Sequence, residues 1–189
     1  MLIVRGFAQG VATAQLAREL GCDRSELLNL RHRLQDLAFR NRDRMPLDDK
    51  VLEADEAYQN AGKKGVPHTD PEDPSRRRAN KAGGHGTWEN DRPPVCGVVG
   101  RESGEVRLTV MEWSDGETLQ RVVMRATWPM VTVNTDECQV YNGLPAMGRF
   151  RPKVCHADRD WARDDDGDGV RDIHVNTLKG LWTRVSAHF

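Results

Sequence analysis

The stretch VLEADEAYQ, residues 51–59, sets the fold class. Its apolar and polar side chains alternate with the period of a β-strand, in which successive side chains point to opposite faces. Leu52, Ala54 and Glu56 are expected on one face, and Glu53, Asp55 and Ala57 on the other. Downstream, PPVCGVVG (93–100) and EVRLTVMEW (105–113) are two β-rich runs separated by RESG, a hairpin signal. GETLQRVVMRA (116–126) predicts a helix, and MVTVNTDE (130–137) an apolar strand running into a polar end. Residues 143–172 read mostly as loop. VNTLKGLWTRVSA (175–187) predicts a closing helix with Leu178, Leu181, Trp182 and Val185 on one face. The order strand, hairpin, helix, strand, loop, helix fits a mixed α/β sheet with flanking helices.

Upstream, residues 8–41 have helical periodicity. Ala12, Leu16, Ala17 and Leu20 are spaced for one helix, and Leu27, Leu28, Leu30 and Leu34 for a second. GCDRSE between them supplies a glycine stop and an Asp/Ser start. Two helices joined by a short glycine-containing turn give the helix-turn-helix pattern. The second helix carries Arg24, Asn29, Arg31, His32 and Arg33, donors suited to phosphates and base edges. Such helix pairs also occur in proteins that never touch DNA. Residues 42–50 read as a linker. Residues 59–92, rich in Gly, Pro, Asp, Asn and Arg, read as a long basic loop.

Composition narrows the class. In 189 residues, 38% hydrophobic and 30% charged, no run approaches the roughly 20 apolar residues that span a bilayer. The apolar part of MLIVRGFAQG is too short for a signal peptide, so the cytoplasm is the expected location and a membrane partner is not expected. The four cysteines, Cys22, Cys96, Cys138 and Cys155, form no CxxC pair, which argues against a zinc ribbon and for reduced thiols. The net charge of −1 does not by itself mark a nucleic-acid binder. Its distribution is uneven, however. Arg31, His32, Arg33, Arg40, Arg42 and Arg44 form one basic group, Arg76, Arg77, Arg78 and Lys81 a second, and acids gather at 158–172. A protein holding both metal ions and a polyanion separates charge this way, although basic runs are commonly just solvated surface.

Two carboxylates stand at strand ends, Asp55 and Asp136. If their strands are neighbours, both reach one divalent cation, and Mg²⁺ or Mn²⁺ suits carboxylate oxygen. A third acid would complete a two-metal phosphoryl-transfer site with ions roughly 4 Å apart. The alternative for Asp136 is a cap on the helix that follows. DDDGDGVRD (164–172) matches the start of a calcium loop at Asp164, Asp166, Asp168 and Gly169. Val175 stands where that loop needs a bidentate Glu, so the segment reads as a solvated acidic turn. His156 and His174 are each either metal ligands or hydrogen-bonded structural histidines.

Taken together, five ordered blocks are specific. AQLARELGCDRSELLNLRHRLQ (14–35), VLEADEAYQNAGKKG (51–65), PSRRRANKAGGHGTWENDRPPVCGVVGRESGEVRL (74–108), VNTDECQVYNGL (133–144) and VCHADRDWARDDDGDGVRDIHVNTLKGLW (154–182) follow one another along the chain. In this the chain resembles the insertion-sequence transposases of the 1595 type, whose catalytic domain is a ribonuclease-H-like DDE domain. The resemblance is weaker through GETLQRVVMRATWPM. It implies a helix-turn-helix over 1–45 and an incomplete, C-terminally truncated ribonuclease-H-like domain over 46–189. It implies DNA as partner at insertion-sequence ends, homo-oligomers if active, and Mg²⁺ or Mn²⁺ held by Asp55 and Asp136. The third family acid is a Glu within HVNTxEG. Here the segment reads HVNTLKG, so Lys179 takes that place, and a lysine ammonium repels a divalent ion instead of coordinating it. Ser186 stands where the family has a basic residue, and the chain stops at Phe189, short of the usual C-terminal region. Asp172 and Glu137 are the nearby acids available to substitute for it. The implied function is a DNA transposase with weakened metal binding and defective strand cleavage. The alternative is a catalytically inactive DNA-binding remnant, with Arg31, Arg33, Arg76, Arg77, Arg78 and Lys81 as the DNA contacts.

Overall fold

A computed structural model describes residues 2–58 and 93–186. The expected basic loop at 59–92, with Arg76, Arg77, Arg78 and Lys81, lies outside the described residues, as does the side chain of Ser186. The chain divides into two compact units between Arg44 and Met45.

The first unit holds three helices, α1 (Leu2–Ala8), α2 (Thr13–Leu20) and α3 (Arg24–Arg40). α1 forms in a segment for which the sequence pattern predicts no element. Gly21, at φ 63°, ends α2 in the left-handed conformation that glycine adopts without steric cost. Asp23 starts α3, its carboxylate accepting from the backbone N–H of Ser25 (2.8 Å) and Glu26 (3.0 Å). Leu16, Ala17 and Leu27 form the small core, with Ile3, Phe7, Val11 and Leu20 packed against them. Leu28 and Leu30, at helical spacing in the sequence, are instead on the exposed side of α3.

The second unit is built on a four-stranded mixed sheet of β1 (Val51–Tyr58), β2 (Pro94–Gly100), β3 (Val106–Val110) and β4 (Thr132–Asn134), in the order β3-β2-β1-β4. β2 and β3 form the expected antiparallel hairpin. The buried Asp49 carboxylate fixes its turn by accepting from the backbone N–H of Glu102 (2.7 Å) and Ser103 (2.8 Å). β4 runs parallel to β1, Glu53 standing opposite Asn134. Two helices flank the sheet. α4 (Gly116–Ala126) starts at Asp115, which accepts from Thr118 N–H at 3.0 Å, and α5 is Asn176–Ser186.

The alternation in β1 assigns these helices to opposite faces. Leu52 and Ala54, with Cys96 and Val98 beside them on β2, pack against Leu119, Val123 and Ala126 of α4. Glu53 and Asp55, with Val99 and Gly97 as their β2 partners, face α5. The segment read as a linker is partly core: Leu47 is fully buried and donates its N–H to Ala126 O at 2.9 Å. No described helix is long and apolar enough to cross a membrane.

Candidate functional site

β1 delivers Asp55 and β4 delivers Asp136 to the same end of the sheet. The parallel register pairs 53 with 134, so 55 and 136 continue along the same line just beyond the end of β4. The expected neighbouring of the two strands is therefore present. An extended segment braces β4 on its far side, through Val133 N–H to Phe150 O (2.8 Å) and Val154 N–H to Thr135 O (3.1 Å). Arg151 secures the loop that carries Asp136. Its guanidinium donates to Thr135 Oγ1 (2.9 Å), Asn142 Oδ1 (2.6 Å), Asp136 O (3.0 Å) and Cys138 O (2.9 Å).

Asp55 is 7% exposed and accepts from Trp182 Nε1–H at 3.1 Å through Oδ2. Burial, then the charges of Glu56 and Asp136, push its carboxyl up to about 7; Lys179 and the indole hydrogen bond act the other way. A carboxyl near 7 is the mark of acids confined together away from water. Asp136 is half-buried, and its Oδ1 accepts from Cys138 N–H at 3.0 Å, so it also caps the turn that follows. The short helix at Gln139–Tyr141 begins at Cys138 with no side-chain cap, so Asp136 fixes the turn before that helix and does not cap it.

Gly97 explains how an indole comes to lie on Asp55. It is the direct β2 partner of Asp55, and a Cβ there would meet Trp182 Cζ2 at 2.8 Å and Leu178 Cδ2 at 2.9 Å. Only a residue without a side chain lets α5 approach this closely.

A second anchor escaped sequence reasoning. Glu53 is fully buried. Its Oε1 accepts from Arg101 Nε (3.0 Å) and Thr177 Oγ1 (2.8 Å), and its Oε2 from Leu178 N–H (3.1 Å). Arg101 also donates to the backbone carbonyls of Asp172 and His174. One buried carboxylate thus holds the first turn of α5 and the chain leading into it, where negative charge complements the helix N-terminus. The available signal was an acid in the middle of a strand, on the same face as Asp55.

His174 belongs to this anchor. Its Nδ1 faces an Arg101 N–H at 2.5 Å and the Asn176 N–H at 3.3 Å, so Nδ1 is assigned as an acceptor. Burial, then the Arg101 charge, hold its pKa below the ordinary histidine value, against the Glu53 carboxylate, which raises it. The same Nδ1 lies 3.1 Å from Glu53 Oε1. Of its two readings, the structural one fits. Asn134 is also buried; its Nδ2 donates to Asp172 O at 3.4 Å, and its Oδ1 has no donor among the described residues.

Lys179 follows Leu178 on α5 and is half-buried, close enough to Asp55 to act on its charge. Two carboxylates are present, one oxygen of each already accepts a hydrogen bond, and the charged residue that acts on Asp55 from α5 is Lys179. These residues do not fit a divalent pair. Of the two alternative acids, Glu137 Oε1 accepts from Ala157 N–H at 3.3 Å, whereas Asp172 meets Arg101 and Asn134 through its backbone carbonyl and not its carboxylate.

The other expected residues lie elsewhere. Arg31 donates to Val11 O and sits 4.5 Å from the Phe7 ring centroid, bracing the helical unit from within. Arg33 is exposed on α3. The ligand atoms of Asp164, Asp166 and Asp168 lie within 4.8 Å of one another, while the three carboxylates cap their own turn. All four cysteines are free thiols.

The chain is 29% identical over 129 residues to a protein in transposable element ISH50 of Halobacterium salinarum, a match covering 68% of this chain and 40% of that relative. The chain thus spans less than half the relative's length. Among solved structures, a simian T-cell lymphotropic virus intasome in complex with PP2A regulatory subunit B56 gamma aligns with a TM-score of 0.37 and 11% identity, covering 75% of this chain and 51% of that one. The family profile of the ISXO2-like transposase domain, of the 1595 type of insertion sequences, matches residues 46–189, and the chain belongs to that family.

Proposed function

We propose that this protein is an insertion-element transposase that engages element-end DNA but is defective in strand cleavage and transfer. DDE transposases generally use divalent metal ions, and the defect follows from the residue at 179. Asp55 and Asp136 supply two acids for such an ion, and Lys179 brings a positive charge where the family resemblance calls for a third. That juxtaposition carries the reading. Phosphoryl transfer rests on positioning and charge neutralisation, so replacing a ligand with a like-charged group costs orders of magnitude in rate.

The mixed sheet with a helix on each face supports reading residues 46–189 as a ribonuclease-H-like domain. The capped α2–turn–α3 unit supports a helix-turn-helix over 1–45 with Arg33 toward DNA. Arg31 would join it only by leaving Val11 and Phe7. Arg76, Arg77, Arg78 and Lys81 would grip phosphate, and the active form would be a homo-oligomer.

The test is incubation of the full chain with a duplex bearing the element's terminal sequence, in Mg²⁺ or Mn²⁺. The expected result is salt-dependent retention of the duplex without nicked strands. Nicking by the wild type that Asp55→Ala abolishes would establish an active enzyme and overturn the defect. Failure to retain any duplex would overturn the DNA reading.

A further inference from the structure

The acid pair at the end of β1 and β4 has more arranged around it than a lost ligand requires. α5 is seated by two independent devices: the Glu53 carboxylate accepting from Thr177 Oγ1 and Leu178 N–H, and the Gly97 recess that admits Leu178 and Trp182. Residue 179 lies between these fixed points, one residue after Leu178 and three before the indole that donates to Asp55. Its backbone N–H is itself bonded to Val175 O at 3.2 Å. The backbone of residue 179 is therefore held on a rigid support, on the turn of α5 before the indole that meets Asp55.

We infer that residue 179 determines which cation this site takes, and that the Lys179 ammonium is the site's resident cation, excluding divalent ions from Asp55 and Asp136. This rests on the reading of those two residues as the site. The physical case is charge arithmetic in a confined place. Asp55, Glu56 and Asp136 bring negative charge together where Asp55 is 93% removed from water, and like charges so placed need a counter-charge. A free ion must be captured from solution and partly dehydrated, whereas a tethered ammonium is present at high effective concentration at all times. Occupying the site, it also repels any approaching divalent ion. Lys179 influences the Asp55 charge in the corresponding direction.

Mn²⁺ binding to the full chain, followed by paramagnetic resonance and by unfolding midpoint, tests this. The comparison covers wild type, Lys179→Met, Lys179→Glu, and each of these with Asp55→Asn added. The Asp55→Asn partners isolate this site from Mn²⁺ taken up by exposed acids such as Asp164, Asp166 and Asp168. Wild type is expected to show no Mn²⁺ uptake that depends on Asp55. Lys179→Met is expected to gain an Asp55-dependent site, and Lys179→Glu to bind about 10–100-fold tighter than Lys179→Met. In metal-free buffer the midpoint of Lys179→Met falls below wild type, and Mn²⁺ raises it again while leaving wild type unmoved. Should Lys179→Met fail to fold, Lys179→Arg, which keeps the charge, is to show no more Asp55-dependent uptake than wild type. Asp55-dependent Mn²⁺ binding by the wild type, or no gain on removing the lysine charge, overturns the inference. DNA retention is scored separately. A chain that ignores DNA yet shows this cation pattern sinks the functional reading alone, and one that retains DNA yet binds Mn²⁺ through Asp55 sinks this inference alone.

Discussion

The two faces of the central sheet are made by alternate residues of β1 and obey different physics. Toward α4, Leu52, Ala54, Cys96 and Val98 meet Leu119, Val123 and Ala126, and the contact is held by apolar burial. That force is non-directional, roughly proportional to area, and tolerant of exchange between side chains of similar volume. Toward α5, the same strand presents Glu53 and Asp55. There the contact is held by named donors on named acceptors: Arg101, Thr177 and Leu178 on Glu53, and Trp182 on Asp55. A buried charge is stable only with its partners in place, so this face tolerates little change. One face is built for stability, the other to hold charged groups in a chosen geometry.

The comparison fails if the two helices cannot be released separately. Glu53→Ala leaves Arg101 and the first turn of α5 without their acceptor and is expected to cost about 3–5 kcal/mol, the scale for breaking a buried pair. Amide-exchange protection should fall in α5 while α4 keeps most of its own. Leu119→Ala, on the other face, should cost about 2–5 kcal/mol as a cavity mutation and loosen α4 first. Uniform loss of protection in both variants would mean that the faces form one cooperative unit.

A pH series sharpens the contrast. The Asp55 carboxyl is raised in the fold, from 3.8 to about 7. A group with a raised folded pKa favours the fold while protonated, so its contribution is full below about 4 and is lost as pH rises through about 7. Asp55→Asn removes that loss. It is expected to match wild-type stability near pH 4 and to exceed it above pH 7 by about 2–4 kcal/mol, read from denaturant midpoints. A constant difference across the range would show that Asp55 is not confined as described. Leu119→Ala, acting on the apolar face, should show no such pH dependence.

How much was legible follows the same division. Alternation in 51–58 placed Leu52 and Ala54 opposite Glu53 and Asp55, and that separation is present. The hairpin, the helix at 116–126 and the closing helix are where periodicity and turn residues put them. In the N-terminal unit the glycine stop and Asp start mark the boundary between α2 and α3, whereas α1 carried too little pattern to be noticed. The segment at 42–50 has the composition of a linker because only two of its residues, Leu47 and Asp49, turn inward, too few for a periodic stripe. Composition says what the Arg31 side chain can donate and not where; that it meets Val11 O and the Phe7 ring is visible only in the fold.

The sequence by itself determined the element types, the two faces of β1, the identity of the acids at 55 and 136, and the lysine at 179. These are local properties: period, capping and residue chemistry are written in neighbouring positions. Only the tertiary structure decided that β4 lies beside β1 in parallel, that Gly97 opens a recess for Trp182, and that Glu53 receives the first turn of α5. Those contacts join positions more than a hundred residues apart in the case of Glu53 and Leu178. Packing geometry alone sets them, because nothing in local sequence specifies which distant donor will meet a buried carboxylate.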